Sequence, residues 1–248
     1  MQLHPASTRA LRAAVTFLTR IPFPGPLDPG DFGASTVYFP LIGALVGGVG
    51  AGVFWLASIF WPTPVALVLS LAATVLVTGA LHEDALADAA DGFGGGSTPE
   101  RVLEIMKDSR VGSYGVVALI LAILLKLASL ASLTRGDVVV ALIAGHTLAR
   151  WSSVWLLGRY EYVGTKGAAF AGSVTTSRLV MATVLALGIC ALALQRRAFI
   201  PVLIALGVTT VTGAYFRRQL GGVTGDCLGA ANQLVEVAIY LALSARQP

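Results

Sequence analysis

Three carboxylates, Asp84, Asp88 and Asp91, stand at i, i+4 and i+7 within residues 82–115, which read HEDALADAADGFGGGSTPERVLEIMKDSRVGSYG. On a helix this spacing confines them to an arc of roughly 60°, so all three share one face. Like charges so placed repel by on the order of tenths of a kcal/mol per pair, and a divalent cation is the simplest compensation. Mg²⁺ takes oxygen ligands, usually one or two carboxylates together with substrate phosphates. The plain alternative is a solvated acidic helix end. Against it, the intervening residues are Ala85, Leu86, Ala87, Ala89 and Ala90, small and apolar as in a packed helix. The stretch also holds seven of the chain's thirteen acidic residues and follows a membrane-length apolar run. Carboxylates facing a protein interior at a membrane boundary are costly and point to function.

The same stretch supplies cations. Lys107-Asp108-Ser109-Arg110 places two cations, a carboxylate and a hydroxyl together, with Gly112 and Gly115 just beyond. Such a set suits phosphate held beside a metal. By itself it is equally a loop end with a local salt bridge. Between the two clusters, Gly92-Phe93-Gly94-Gly95-Gly96 is expected to stop the acidic helix. Ser97 and Glu100 have capping-box spacing for a second helix, with Pro99 in its first turn.

These groups must be positioned by membrane helices. The chain of 248 residues is 56% hydrophobic and 12% charged, with a mean hydropathy of +0.79. A soluble domain carries about 25% charge. The composition therefore gives an all-α, polytopic membrane bundle, with residues 1–248 as one integral membrane domain. Residues 7–20 carry Leu11, Val15 and Leu18 opposite Arg9, Arg12 and Thr16, the pattern of an amphipathic helix lying on the membrane surface. Arg20 to Pro26 is a rigid extended turn. Seven apolar runs follow, near residues 36–61, 64–81, 116–133, 138–157, 179–194, 199–215 and 228–243. The second is expected to continue directly into the acidic helix. Gly43, Gly47, Gly48, Gly50 and Gly52 suit close helix contact in the first.

Alternating these spans from an inside N-terminus leaves eleven Lys and Arg inside (among them Lys107, Arg159, Lys166, Arg178 and Arg217). Four lie outside: Arg135, Arg196, Arg197 and Arg246. That asymmetry predicts a cytoplasmic N-terminus. It also places the acidic stretch, the 159–178 loop and the 217–227 loop on one face, so one site can draw on all three. The net charge of +4 fits loops at an anionic leaflet rather than nucleic-acid binding. Cys190 and Cys227 have no metal spacing and read as inert packing residues.

Other polar groups interrupt the spans. Asp226 stands near a helix start, where a cap is the plain role. Asn232 and Glu236 share a face of the last run, and Glu236, lacking a local cation, requires a partner on another helix or a role in the site. His146 and Arg150 share a face of the fourth run. Arg150 could bind phosphate or neutralise a buried carboxylate. Lys126 is expected to pair or to snorkel. His82 is either a metal ligand or an interfacial polar residue. Trp55, Trp61, Trp151 and Trp155 read as interface or packing aromatics.

Residues 83–93, EDALADAADGF, resemble the signature of the cobalamin-5′-phosphate synthase (adenosylcobinamide-GDP ribazoletransferase) family. So do residues 105–112, IMKDSRVG, residues 17–22, FLTRIP, and residues 225–230, GDCLGA. The similarity runs in order along nearly the full chain. It departs at Ala85, where the family pattern has Gly, and at Cys227, where it has a hydroxyl or small side chain. The resemblance implies the final assembly of coenzyme B12. A hydroxyl of α-ribazole, or of its 5′-phosphate, attacks the cobinamide-linked phosphorus of adenosylcobinamide-GDP, and GMP leaves. It further implies Mg²⁺ as cofactor and a place in the cytoplasmic (inner) membrane. On that basis Asp84, Asp88 and Asp91, with Glu83, are the expected metal ligands. Lys107 and Arg110 grip the phosphates, and Asp108 or Asp226 is the base. Arg20, Ser109, Arg150 and Asn232 complete the expected substrate-binding set. The acidic helix is also similar to the DxxDG portion of CDP-alcohol phosphatidyltransferases, matched here by Asp88 and Asp91-Gly92. The competing class is a small ion-coupled transporter, which usually has inverted repeats and midplane carboxylates; neither is evident. The number of copies in the assembly is left open.

Overall fold

The structure is a computed structural model and describes residues 5–164, 170 and 172–245. Lys166 and Arg246, counted above for orientation, lie outside the described residues. Eleven α-helices make up the described chain: α1 Pro5–Leu18, α2 Pro29–Ser35, α3 Phe39–Phe60, α4 Thr63–Thr78, α5 Leu81–Gly95, α6 Pro99–Ile105, α7 Ser113–Ala131, α8 Arg135–Arg159, α9 Thr176–Leu194, α10 Phe199–Leu220 and α11 Gly225–Ser244. Among the described residues the only β pairing is a single bridge between Tyr162 and Val223.

The helix starts have a common local cause. Thr98, Thr134, Thr175 and Thr224 each accept a hydrogen bond at Oγ1 from the backbone N–H three residues on, which caps α6, α8, α9 and α11. The cap of α6 is therefore Thr98 and not Ser97, and the cap of α11 is Thr224 and not Asp226. Inside the spans, Thr78, Thr147, Thr183 and Thr209 return their hydroxyl protons to the carbonyl four residues earlier. That leaves no hydroxyl stranded in the apolar interior.

Among the described residues, five helical stretches are long and apolar enough to cross a membrane, or six if α4 and α5 together make one span. Each of the seven apolar runs of the sequence holds one helix. The first departure is that the fifth and sixth, α9 and α10, lie in a single 45-residue stretch, Thr176–Leu220. That stretch folds back at the 3-10 turn Gln195–Ala198. Trp151 of α8 donates to Thr183 near the start of α9, Arg197 in the turn meets Asp137 at the start of α8, and Tyr160 beyond α8 packs on Gly213 and Arg217 near the end of α10.

The second departure decides the site. α4 does not run on into α5: the two helices meet at 88°. Gly79 (φ 68°) and Ala80 (φ 58°) both sit in the left-handed region, which terminates α4 before α5 begins. Arg20 lies over this corner, its backbone N–H donating to Val77 O at 2.7 Å. A Cβ on Gly79 would fall 2.2 Å from Arg20 Nε, so the corner requires glycine.

α3 packs along α8 through two glycines. A Cβ at Gly43 would lie 2.3 Å from the His146 carbonyl oxygen, and one at Gly47 would lie 2.4 Å from that of Leu142. Gly50 faces Thr74 and Ser70 of α4, whereas Gly48 and Gly52 face open space. Only three of the five α3 glycines therefore serve close contact. The core runs from Phe54, Leu67 and Val138 through Leu148 to Ile239 and Tyr240. α1 buries Ala10, Ala13, Ala14 and Leu18 against the start of α3, and Phe17 stacks on Phe39. Trp151 is buried against Trp155, while Trp55 and Trp61 are exposed. Cys190 and Cys227 are free and buried.

Candidate active site

A cavity of about 280 Å³ opens at one end of the bundle, where α1, α8 and the α4–α5 corner end and where α3 and α11 begin. Its polar wall is His82, Asp84 and Asp88 from α5, Ser153 from α8, Tyr162, and Asp226 from the first turn of α11. Phe17, Phe39, Leu157 and Phe170 form the apolar wall. The acidic helix, the segment after Arg159 and the start of α11 thus meet at one place, as the loop arithmetic required. A smaller cavity of about 50 Å³ shares Gly225 and Asp226 with the first and adds Lys107, Met106 and Thr224. Asp226 stands at the junction. Burial, and next the negative charge of Asp226, pushes the Tyr162 phenol above its usual range.

Beside the cavity, α5 packs closely on α11. Ala85 touches Gly229 of α11, where an added Cβ would lie 2.3 Å from the Ala85 methyl. The departure at Ala85 is thus accommodated by a glycine on the facing helix. α5 also extends to Gly95, three residues past Gly92, because a Cβ at Gly92 would collide with Met106 and one at Gly96 with Val102. The glycines let α6 lie against α5 and do not break the helix where expected.

Asp91 is drawn away from the other two carboxylates. It is 7% exposed and accepts hydrogen bonds from Gly112 N at 2.7 Å and Gly115 N at 2.9 Å, at the start of α7. A Cβ at either glycine would fall 2.4 Å from a carboxylate oxygen, so these glycines exist to let the carboxylate in. Asp91 does for α7 what a threonine does for the other capped helices. Glu83 accepts from Gln233 Nε2 at 3.0 Å and is not on the cavity wall. Among the described residues no three His, Cys, Asp or Glu side chains are grouped to hold a metal ion by themselves. Of the four carboxylates expected to hold a metal, Asp84 and Asp88 line the cavity and Glu83 and Asp91 do not, while Asp226 of α11 adds a third carboxylate to its wall.

The 107–110 cluster is split. Asp108 and Arg110 form a forked ion pair, Nη2 to Oδ2 at 2.6 Å and Nε to Oδ1 at 3.0 Å, on neither cavity wall. The Arg110 side chain is 87% exposed. Its hydrogen bonds hold the Asp108 carboxyl at about 2 and raise the guanidinium in turn. Ser109 is exposed. Lys107 alone of the four reaches a cavity.

Arg20, Arg150 and Asn232 also lie off the cavity walls. Arg20 covers the α4–α5 corner. Arg150 is 2% exposed, 2.7 Å from His146 Nδ1 and 3.8 Å from Glu236, so of its two readings the structure places it beside a buried carboxylate. Glu236 finds its partner on another helix, Lys126 of α7, at 2.9 Å. Asn232 is fully buried, and both its amide atoms lack a hydrogen-bond partner. Sequence reasoning did not single out Tyr162, Phe17 or Phe170 for the wall. For Tyr162 and Phe170 the signal was that the segment after Arg159 fell on the same face as the acidic helix; for Phe17 it was its place in the FLTRIP stretch.

Fold and site together define a multi-pass helical membrane protein whose carboxylates gather at one end of the bundle. The chain belongs to the cobalamin-5-phosphate synthase family, whose model matches residues 10–244. It is similar to the adenosylcobinamide-GDP ribazoletransferase of Leptothrix cholodnii, 45% identical over 242 residues that cover 92% of each chain. It is also similar to the proteins of the same name from Shewanella amazonensis and Ralstonia nicotianae. The first is 43% identical over 93% of this chain and 92% of the relative, and the second is 41% identical over 96% and 95%. No solved structure matches the chain.

Proposed function

We propose that residues 1–248 form one integral membrane transferase domain that carries out the last assembly step of coenzyme B12, with its cavity facing the cytoplasm. The substrates are adenosylcobinamide-GDP and α-ribazole or its 5′-phosphate. The hydroxyl oxygen bonds to the cobinamide-linked phosphorus, the bond from that phosphorus to GMP breaks, and Asp226 takes the hydroxyl proton. The reading is carried by one observation: Asp84 and Asp88 from α5 and Asp226 from the first turn of α11 line a single cavity. Of the two candidate bases, Asp226 is favoured because Asp108 is committed to Arg110 away from both cavities.

The donor set fits Mg²⁺: carboxylates suit a hard cation, and two protein ligands suffice when phosphates supply the rest. Asp84 and Asp88 would hold it, and when bound it would neutralise the pyrophosphate charge. Lys107, in the adjoining cavity, supplies a cation to a phosphate oxygen as negative charge moves to the leaving nucleotide. The apolar wall of Phe17, Phe39 and Phe170 excludes water, which would otherwise compete with the ribazole hydroxyl. The test is direct. Purified protein given adenosylcobinamide-GDP, α-ribazole and Mg²⁺ should release GMP and form a cobalamin product, and chelation should stop both. Absence of GMP, or release indifferent to chelation, would overturn the proposal.

A further inference from the structure

His82 lies on the cavity wall, and behind it runs a chain of buried polar side chains. The Arg150 guanidinium places Nη2 at 3.5 Å from His82 Nδ1 and Nη1 at 2.7 Å from His146 Nδ1. A guanidinium only donates. At 2.7 Å the guanidinium requires a bare acceptor at His146 Nδ1, although the Glu236 carboxylate also lies 3.4 Å from that atom. The longer contact favours the same arrangement at His82, with the hydrogen on Nε2. With Nδ1 of His82 turned inward to Arg150, Nε2–H is the polar group its ring has left for the cavity.

Arg150 is itself fixed. The Glu236 carboxylate lies 3.8 Å from it and pairs with Lys126 at 2.9 Å. Tyr240 donates to Glu236 at 3.1 Å. Lys126 donates to Gln233 Oε1 at 2.7 Å, and Gln233 Nε2 donates to Glu83, next to His82. Two cations and two carboxylates from α5, α7, α8 and α11 thus form a charge-balanced set around two histidines, of which His82 alone lines the cavity. Charges buried in a membrane bundle are expensive, and a set that touches the reaction cavity at one residue is best understood through that residue.

We infer that His82 is a neutral hydrogen-bond donor to an oxygen of the transferring phosphate, and that Arg150 is the positioning residue that holds it in that role; the inference rests on the phosphoryl-transfer reading above. With its proton already on Nε2, His82 cannot take the proton of the attacking hydroxyl, which leaves that task to Asp226. A fixed donor aimed at a phosphate oxygen gains strength as charge builds there, so its effect falls on kcat more than on KM.

Two measurements test this. In protein labelled with ¹⁵N-histidine, which has only three histidines to resolve, His82 and His146 should both show the Nε2–H tautomer, and Arg150→Met should release that preference at His82. In GMP release, His82→Phe should lower kcat about 10- to 100-fold with KM for adenosylcobinamide-GDP within about threefold. His82→Gln, whose amide N–H reaches nearly the same point, should recover most of that loss. Observation of His82 as the Nδ1–H tautomer overturns the inference, as does His82→Phe with the wild-type kcat. If His82→Phe does not fold, Arg150→Met decides: unchanged kcat and an unchanged His82 tautomer refute the positioning role. A wild-type protein that releases no GMP refutes the reaction itself, an outcome distinct from a normal wild type and an indifferent His82 variant.

Discussion

Asp91 and Asp88 are three residues apart on one helix, yet their loss should be felt in different measurements. Both oxygens of Asp91 accept backbone N–H groups at the start of α7, at 2.7 and 2.9 Å, and the residue is buried. In Asp91→Asn the amide oxygen keeps one of these bonds, and the NH₂ group is turned against the other N–H. One charge-assisted bond is lost, worth about 1.5–3 kcal/mol. The negative charge at the α7 N-terminus goes with it, worth about 0.3–1 kcal/mol. The expected destabilisation is about 2–4 kcal/mol, which lowers the unfolding midpoint by about 5–15 °C in a chain of this size. Asp88→Asn removes a carboxylate from the cavity wall and should abolish Mg²⁺-dependent GMP release, with a smaller fall in the metal-free unfolding midpoint than Asp91→Asn shows. The assay is thermal unfolding in detergent, with and without Mg²⁺, run beside GMP release for both variants. Asp91→Asn with an unchanged midpoint and lost turnover would refute the capping role and return Asp91 to the metal. Asp88→Asn with a midpoint that falls as far as that of Asp91→Asn and with turnover retained would make Asp88 a structural residue instead.

Gly229→Ala drives a methyl into Ala85 and should cost about 1–3 kcal/mol, while Ala85→Gly in the same chain should restore both the unfolding midpoint and GMP release. Lys126→Met leaves Glu236 with a diminished set of partners in the bundle and should cost about 3–5 kcal/mol, seen as a large fall in folded yield; adding Glu236→Gln should recover much of it. The Asp108 carboxyl sits below its ordinary 3.8, at about 2, so the stabilisation from its pair with Arg110 is present above the ordinary value and is lost as pH falls through about 2. Carboxyl ¹³C titration should follow this, and Arg110→Gln should return Asp108 to the usual carboxylate range. The double variant Asp108→Asn, Arg110→Gln should release GMP better than the worse single variant, because the two charges vanish together.

The helical class and the membrane character were legible in composition alone, and each apolar run became a helix near its expected limits. The grouping of three separate segments at one face was legible in the distribution of Lys and Arg. The site itself was only half legible. Three carboxylates at i, i+4 and i+7 look equivalent along the chain, and what separates Asp91 from Asp84 and Asp88 is a pair of backbone amides 21 and 24 residues away. Local spacing carries no trace of such a partner. The α4–α5 corner was half hidden for a different reason: Gly79 suits a helix end, but Ala80 adopts a left-handed conformation that its residue type disfavours. Glu236 and Lys126 show an intermediate case. Each charge announced a need for a partner in its apolar span, but single charges in separate spans do not name each other.

The dimensions of the principal cavity bear on how a bulky substrate is handled. At about 280 Å³ it is at or below the lower limit of pockets that enclose a drug-sized molecule, and a nucleotide-linked corrinoid is several times larger. Under the proposed reaction the macrocycle therefore stays outside, and only the phosphoryl end and the incoming hydroxyl enter. The protein then works as a socket at the rim of the bundle and not as a vessel. Neither substrate nor product then has to thread between the closely packed α3 and α8.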